Sequence, residues 1–176
     1  MIPVDSVQLP YRALRVAVFA LLTGNTLYYL YAGTLSKGLD AVAWLLLLAL
    51  FALETGRAPH VLIAMRVLRL LAALGVGLAG VGYLLEKDTL DAVNTALWIG
   101  VVILLELQVR RPQMLAHWRA GFTAMAALLY SGLALLVLIW GWRGEWFDAY
   151  DALLWLTAFA TIEMDVLAPV RPAAAG

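Results

Sequence analysis

The sequence predicts an all-α polytopic membrane protein, six transmembrane helices built as three repeated helical hairpins with both termini in the cytoplasm. Three observations carry this prediction. Of 176 residues, 64% are hydrophobic and 14% are charged, too few polar side chains to cover a water-soluble fold of this size. Apolar runs of near-spanning length recur over 13–34, 41–58, 61–85, 92–109, 117–142 and 152–168, each a candidate transmembrane helix. Stretches such as "AWLLLLALFAL" are apolar at every position, which excludes the alternation of a membrane β-barrel.

The third observation is an internal repeat. "ALRV" at 13–16 matches "AMRV" at 64–67, and "LDAV" at 39–42 returns at 90–93, each pair 51 residues apart. Gly24 and Gly75 keep the same spacing. Pro59 and Pro112, and Arg66 and Arg119, stand 53 apart, while "DALLW" at 151–155 echoes "DAVAW" at 40–44. Each unit reads Arg, long helix, acidic turn, Asp, short helix, Glu, Pro. The units run over about 11–58, 61–112 and 115–169 within a single domain spanning 1–170, and 171–176 forms a disordered tail. The first apolar run belongs to this repeat and lacks a small-residue cleavage signal, so it is a helix rather than a signal peptide.

Orientation follows from the basic residues. Nine of them (Arg12, Arg15, Arg57, Arg66, Arg69, Arg110, Arg111, Arg119 and Arg171) lie at the N-terminus or after the even helices, against Lys37, Lys87 and Arg143 in the other turns. The expected location is therefore the cytoplasmic (inner) membrane, multi-pass, with both termini cytoplasmic. "VRRPQMLAHWR" is suited to anionic lipid headgroups on that face. The formal net charge is zero, which excludes a strongly basic nucleic-acid binder.

Charged residues recur within the frame. Asp40, Asp91 and Asp151 fall where the short helices are expected to start; an Asp there caps free backbone amides, and the other reading of the three is an acidic vestibule that collects cations. Glu54, Glu106 and Glu163 end their helices. From Asp40 to Glu54 is roughly 21 Å of helix, which places the carboxylate in the inner third of the membrane. Arg66, Arg119 and, by the repeat, Arg15 are the expected partners. Such Glu–Arg pairs act either as structural clamps or as a cytoplasmic gate. Thr23, Asn25 and Thr26 form the one central polar group, an interhelical bond or a solute contact. Gly75, Gly77, Gly80 and Gly82 give helix three a small-residue stripe, for packing within the chain or for a homo-oligomer or larger membrane complex.

No catalytic motif is present, cysteine is absent, and His60 and His117 lie in loops. The chain is thus expected to be no enzyme and to hold no cofactor or metal. Two functions stay open: a small-solute or ion transporter or channel, and a non-catalytic subunit or assembly factor of a membrane complex.

Overall fold

The computed structural model describes residues 5–54, 62–111, 113 and 117–167, with side chains over 13–51, 53, 64–108, 110–111, 113 and 117–161. Six long helices run through these residues: α1 (Asp5–Ala32), α2 (Leu35–Glu54), α3 (Leu62–Glu86), α4 (Thr89–Arg110), α5 (Arg119–Arg143) and α6 (Trp146–Leu167). Segments of α1, α3, α4 and α5 (Ala13–Ala32, Ala64–Glu86, Thr89–Gln108 and Arg119–Arg143) are long and apolar enough to cross a membrane. The chain is therefore an α-helical membrane protein. The tail at 171–176 lies outside the described residues.

Each helix packs on its sequence neighbours and α1 closes on α6, making a ring of six. Rings from α2, α4 and α6 meet inside it. Trp44 stands with its ring centroid 6.4 Å from Trp98 and 6.3 Å from Trp155, and Phe159 approaches Trp98 to 4.5 Å. Val18, Leu22, Val76 and Leu133 surround this layer from the remaining helices. Tilted and edge-on ring pairs of this kind add roughly 0.5–1.5 kcal/mol each beyond area burial. The outer faces stay apolar. Leu70, Leu74, Leu78, Val81 and Leu85 form an exposed stripe along α3, and Leu128, Leu135 and Leu138 do the same on α5. An apolar exterior around an apolar core is what a lipid solvent requires.

The glycines of α3 divide between the inside and the outside. Gly75 lies against Ala43 of α2, Gly80 against Thr95 of α4, and Gly82 under Ser36 of α2, whereas nothing approaches Gly77. Three of the four thus let α3 come close to its own neighbours.

The turns joining α1 to α2, α3 to α4 and α5 to α6 all lie at one end, the turn end. Two of them close alike. Asp88 N donates to Tyr83 O at 2.9 Å around Lys87 (φ 60°), and Glu145 N donates to Trp140 O at 2.9 Å around Gly144 (φ 78°). This bond around a left-handed residue is a helix C-terminal closure that satisfies orphan carbonyls. Asp40, Asp91 and Asp151 do not serve as the expected caps. The helices begin earlier, at Leu35, Thr89 and Trp146, and Asp88 caps α4 by accepting from Asp91 N. Polar turn residues are drawn into the first helical turns, so the three carboxylates fall inside the helices.

Candidate functional site

Starting the helices early turns the carboxylates inward. Asp40 sits in the second turn of α2, Asp91 in the first turn of α4, and Asp148 and Asp151 in the first two turns of α6. Four residues after Asp40 and Asp151 come Trp44 and Trp155, on the same helix faces. Trp98 follows Asp91 by two turns. These side chains, with Tyr29, Tyr83, Asn94 and Trp140, line a cavity of about 50 Å³ at the turn end of the bundle. Its floor is the indole layer of Trp44, Trp98 and Trp155.

One ammonium sits among them. Lys37, in the first turn of α2, reaches Asp148 Oδ1 at 2.9 Å and Asp91 Oδ2 at 3.1 Å, with its Nζ 5.8 Å from the centroid of the Tyr29 ring. It thereby ties α2 to α4, α6 and α1. Tyr29 OH donates to the same Asp148 oxygen at 2.9 Å. Asn25 Nδ2 donates to Asp151 Oδ1 at 2.7 Å, and Tyr83 OH donates to Asp40 Oδ2 at 3.3 Å. Just outside, Ser36 Oγ donates to Glu86 Oε1 at 2.6 Å.

Four carboxylates therefore line the cavity with one ammonium, which contacts two of them, Asp91 and Asp148. Asp91 is only 7% exposed. Asp40 Oδ1 and Asn94 Oδ1 are buried without a hydrogen-bond partner. Buried acceptors left unmade are costly, about 1–3 kcal/mol each and more for a charged group. Surplus carboxylate away from bulk water calls for further positive charge, from a bound cation or from protons. The cavity lining thus has the acceptors and the negative charge to hold a small, positively charged hydrogen-bond donor. Among the described residues, no three of His, Asp or Glu are grouped to hold a metal ion.

The residues singled out from sequence are distributed differently. Asn25 is buried and belongs to this site through Asp151. Thr23 and Thr26 instead bond back to the carbonyls of Phe19 and Leu22 in their own helix, at 2.8 and 2.9 Å. At the opposite, Arg-rich end, Glu106 pairs with Arg110, one turn on in α4, rather than with Arg119 as expected. The i,i+4 partner is within reach without leaving the helix. Arg66 and Arg119 are exposed. Arg15 is half-buried and lines a smaller cavity of about 20 Å³ with Phe19, Leu48, Phe51 and Thr161. The side chains of Glu54 and Glu163 lie outside the described residues.

Lys37, Tyr29, Tyr83 and Asp148 were not legible as site residues. The repeated Asp-x-x-x-Trp of "DAVAW" and "DALLW" was the available signal, since that spacing puts acid and indole on one face. The chain matches no protein-family model, no curated protein and no solved structure.

Proposed function

We propose that the chain is a transporter or channel for a small cation, with the acidic and aromatic cavity as its cation site on the outer side of the cytoplasmic membrane. In this reading all six helices span, as three hairpins of one repeat with both termini inside, and anionic lipids contact the Arg-rich end. The observation that carries the reading is the cavity's charge: four lining carboxylates against one ammonium that pairs with two of them, with the buried acceptors Asp40 Oδ1 and Asn94 Oδ1 still unpaired. In this reading the carboxylates lie at the outer end of the spans, and ionisable residues grouped in a polar cavity of a membrane bundle are candidates for an ion pathway. Two cavities, one on each side of the Trp44–Trp98–Trp155–Phe159 layer, fit a pathway closed in the middle. Glu54, Glu163, Arg15 and Arg66 would then form the clamp or gate at the inner end, with Glu106 held by Arg110 of its own helix rather than by Arg119.

The test is uptake into vesicles. Purified protein reconstituted in lipid should pass small cations, and Asp91→Asn should reduce that flux at least tenfold while the protein still folds. No cation flux above that of empty vesicles, from protein whose folding has been checked, sinks the transport reading. Labelling tests the topology separately: single cysteines at Ser36 and Thr89 should react from outside and one at Gln113 should not.

The filled aromatic layer also favours a second reading, a non-catalytic subunit or assembly factor whose polar cluster only fixes the bundle. Constant co-purification with other membrane proteins in mild detergent, together with absent flux, would select it.

A further inference from the structure

We infer that the cavity binds small primary ammonium ions in the position now held by the Lys37 ammonium, which makes Lys37 a tethered competitor for the protein's own ligand. This rests on the cation-site reading above and adds two things: the class of ligand and the residue that limits its binding.

The Lys37 head group shows what its surroundings recognise. It meets a carboxylate from α4 at 3.1 Å, a carboxylate from α6 at 2.9 Å and the face of an α1 tyrosine. Two oxygen acceptors and one aromatic face suit the three N–H donors and the charge of a primary ammonium. A quaternary ammonium has charge but no N–H, so it cannot replace the hydrogen bond that Lys37 gives Asp148 or its close ion pair with Asp91. A second, independent feature points the same way. Asp40 Oδ1, Asn94 Oδ1 and Asp91 Oδ2 belong to residues lining the same cavity and are buried acceptors without a hydrogen bond, the last although the Lys37 ammonium stands 3.1 Å away. Size sets the upper limit. About 50 Å³ holds roughly three or four water-sized groups, so methylammonium or ethylammonium fits and an amino sugar or a polyamine does not.

Lys37 differs from a ligand only in being attached. Its side chain is 20% exposed, so it stands at the mouth of the cavity rather than at its floor and has an outward direction in which to withdraw. A head group on a short tether competes at an effective concentration on the order of millimolar or higher. A free ammonium must exceed that concentration to bind, and removing the tethered charge removes the competition.

Methylammonium is the probe, and the indoles of Trp44, Trp98, Trp140 and Trp155 that line the cavity provide a fluorescence signal. Lys37→Met should bind methylammonium at least tenfold more tightly than the unaltered protein, and Lys37→Arg should show no such gain. Lys37→Gln, uncharged and one atom shorter but with a polar head, takes the place of Lys37→Met if that variant does not fold. In the unaltered protein, high methylammonium should raise the unfolding temperature, and equal tetramethylammonium should not. Equal or weaker binding by the uncharged variant overturns the inference, as does equal stabilisation by tetramethylammonium. Tighter binding without flux leaves it standing and removes only the transport reading. Cation flux with binding unchanged by Lys37→Met removes only the inference.

Discussion

At the turn end of the bundle, Lys37, Asp91 and Asp148 from three helices meet within 3.1 Å, screened from water by tyrosine and tryptophan rings. At the Arg-rich end, Glu106 and Arg110 pair one turn apart on a single helix, with side chains 51% and 70% exposed. Both regions began as the same kind of sequence signal, a charge near a helix end. Their energetics differ because of connectivity and water. A pair between helices ties separate helices together and is replaced by solvent only at a cost, because its partners are 10–20% exposed, whereas a pair along one helix is already in water. The first is costly to break and the second is nearly free.

Lys37→Ala should therefore be the most damaging of the charge changes. Removing one partner of a buried pair costs roughly 3–5 kcal/mol, and the one-fifth exposure of Lys37 moves the expected loss to the lower end of that range or just below. Arg110→Ala should cost under about 0.5 kcal/mol, as exposed i,i+4 pairs do. Unfolding in mild detergent measures both. Similar losses for the two variants would erase the contrast between the ends.

A finer comparison lies within one helix. Asn25 crosses from α1 to Asp151, while Thr23, two residues earlier, bonds only to its own backbone. Asn25→Ala should cost about 1–3 kcal/mol, since it strips a half-buried carboxylate of a donor. Thr23→Ala should change stability by under about 0.5 kcal/mol. If stability follows Thr23 instead, the polar cluster of α1 works through its threonines and not through the cavity.

What could be read from the sequence follows the same division. Apolar runs fixed the helical class because burial in lipid demands nothing of side-chain partners. The placement of Asp40, Asp91 and Asp151 near one end was legible, and so was Asn25 as an unusual polar group. Their roles were not, because capping and inward presentation differ by only three to six residues, one to two helical turns. That difference was decided by "LSKG" and "WFDAY" joining α2 and α6. Helix starts are the least determined feature of an apolar segment bounded by permissive polar residues. Glu106 shows the converse. Its repeat position suggested Arg119, but a partner four residues away in the same helix is always nearer to hand.

Close packing gives the next contrast. Gly82 lies under Ser36, whose hydroxyl bonds to Glu86, and a methyl group added there would meet that side chain. Gly82→Ala should cost about 1–3 kcal/mol through overpacking and loss of the bond. Gly77 faces open space on the same helix, so Gly77→Ala should stabilise by up to about 1 kcal/mol through helix propensity. Stabilisation at both positions would mean that α2 and α3 are not held as closely as the Ser36–Glu86 bond requires.

The smallest expected effect compares two turns at the same end. Lys87 and Gly144 hold equivalent left-handed positions after α3 and α5, at φ 60° and 78°, and each is spanned by a bond from the next amide to the carbonyl five residues before it. A residue with a Cβ adopts this conformation at a penalty of roughly 1–2 kcal/mol that glycine escapes. Glycine in turn has more freedom to lose from the unfolded chain, by several tenths of a kcal/mol or more. The balance predicts that Lys87→Gly stabilises by about 0.5–1 kcal/mol and that Gly144→Ala destabilises by about 1 kcal/mol. The Lys87 side chain is exposed and its charge is distant from the Lys37 network in role, so cation binding should be unaffected by the change. Denaturant midpoints in detergent measure the two turns side by side. Should Lys87→Gly prove destabilising, the α3–α4 closure owes its conformation to the Asp88 cap on α4 and not to the residue at its left-handed position.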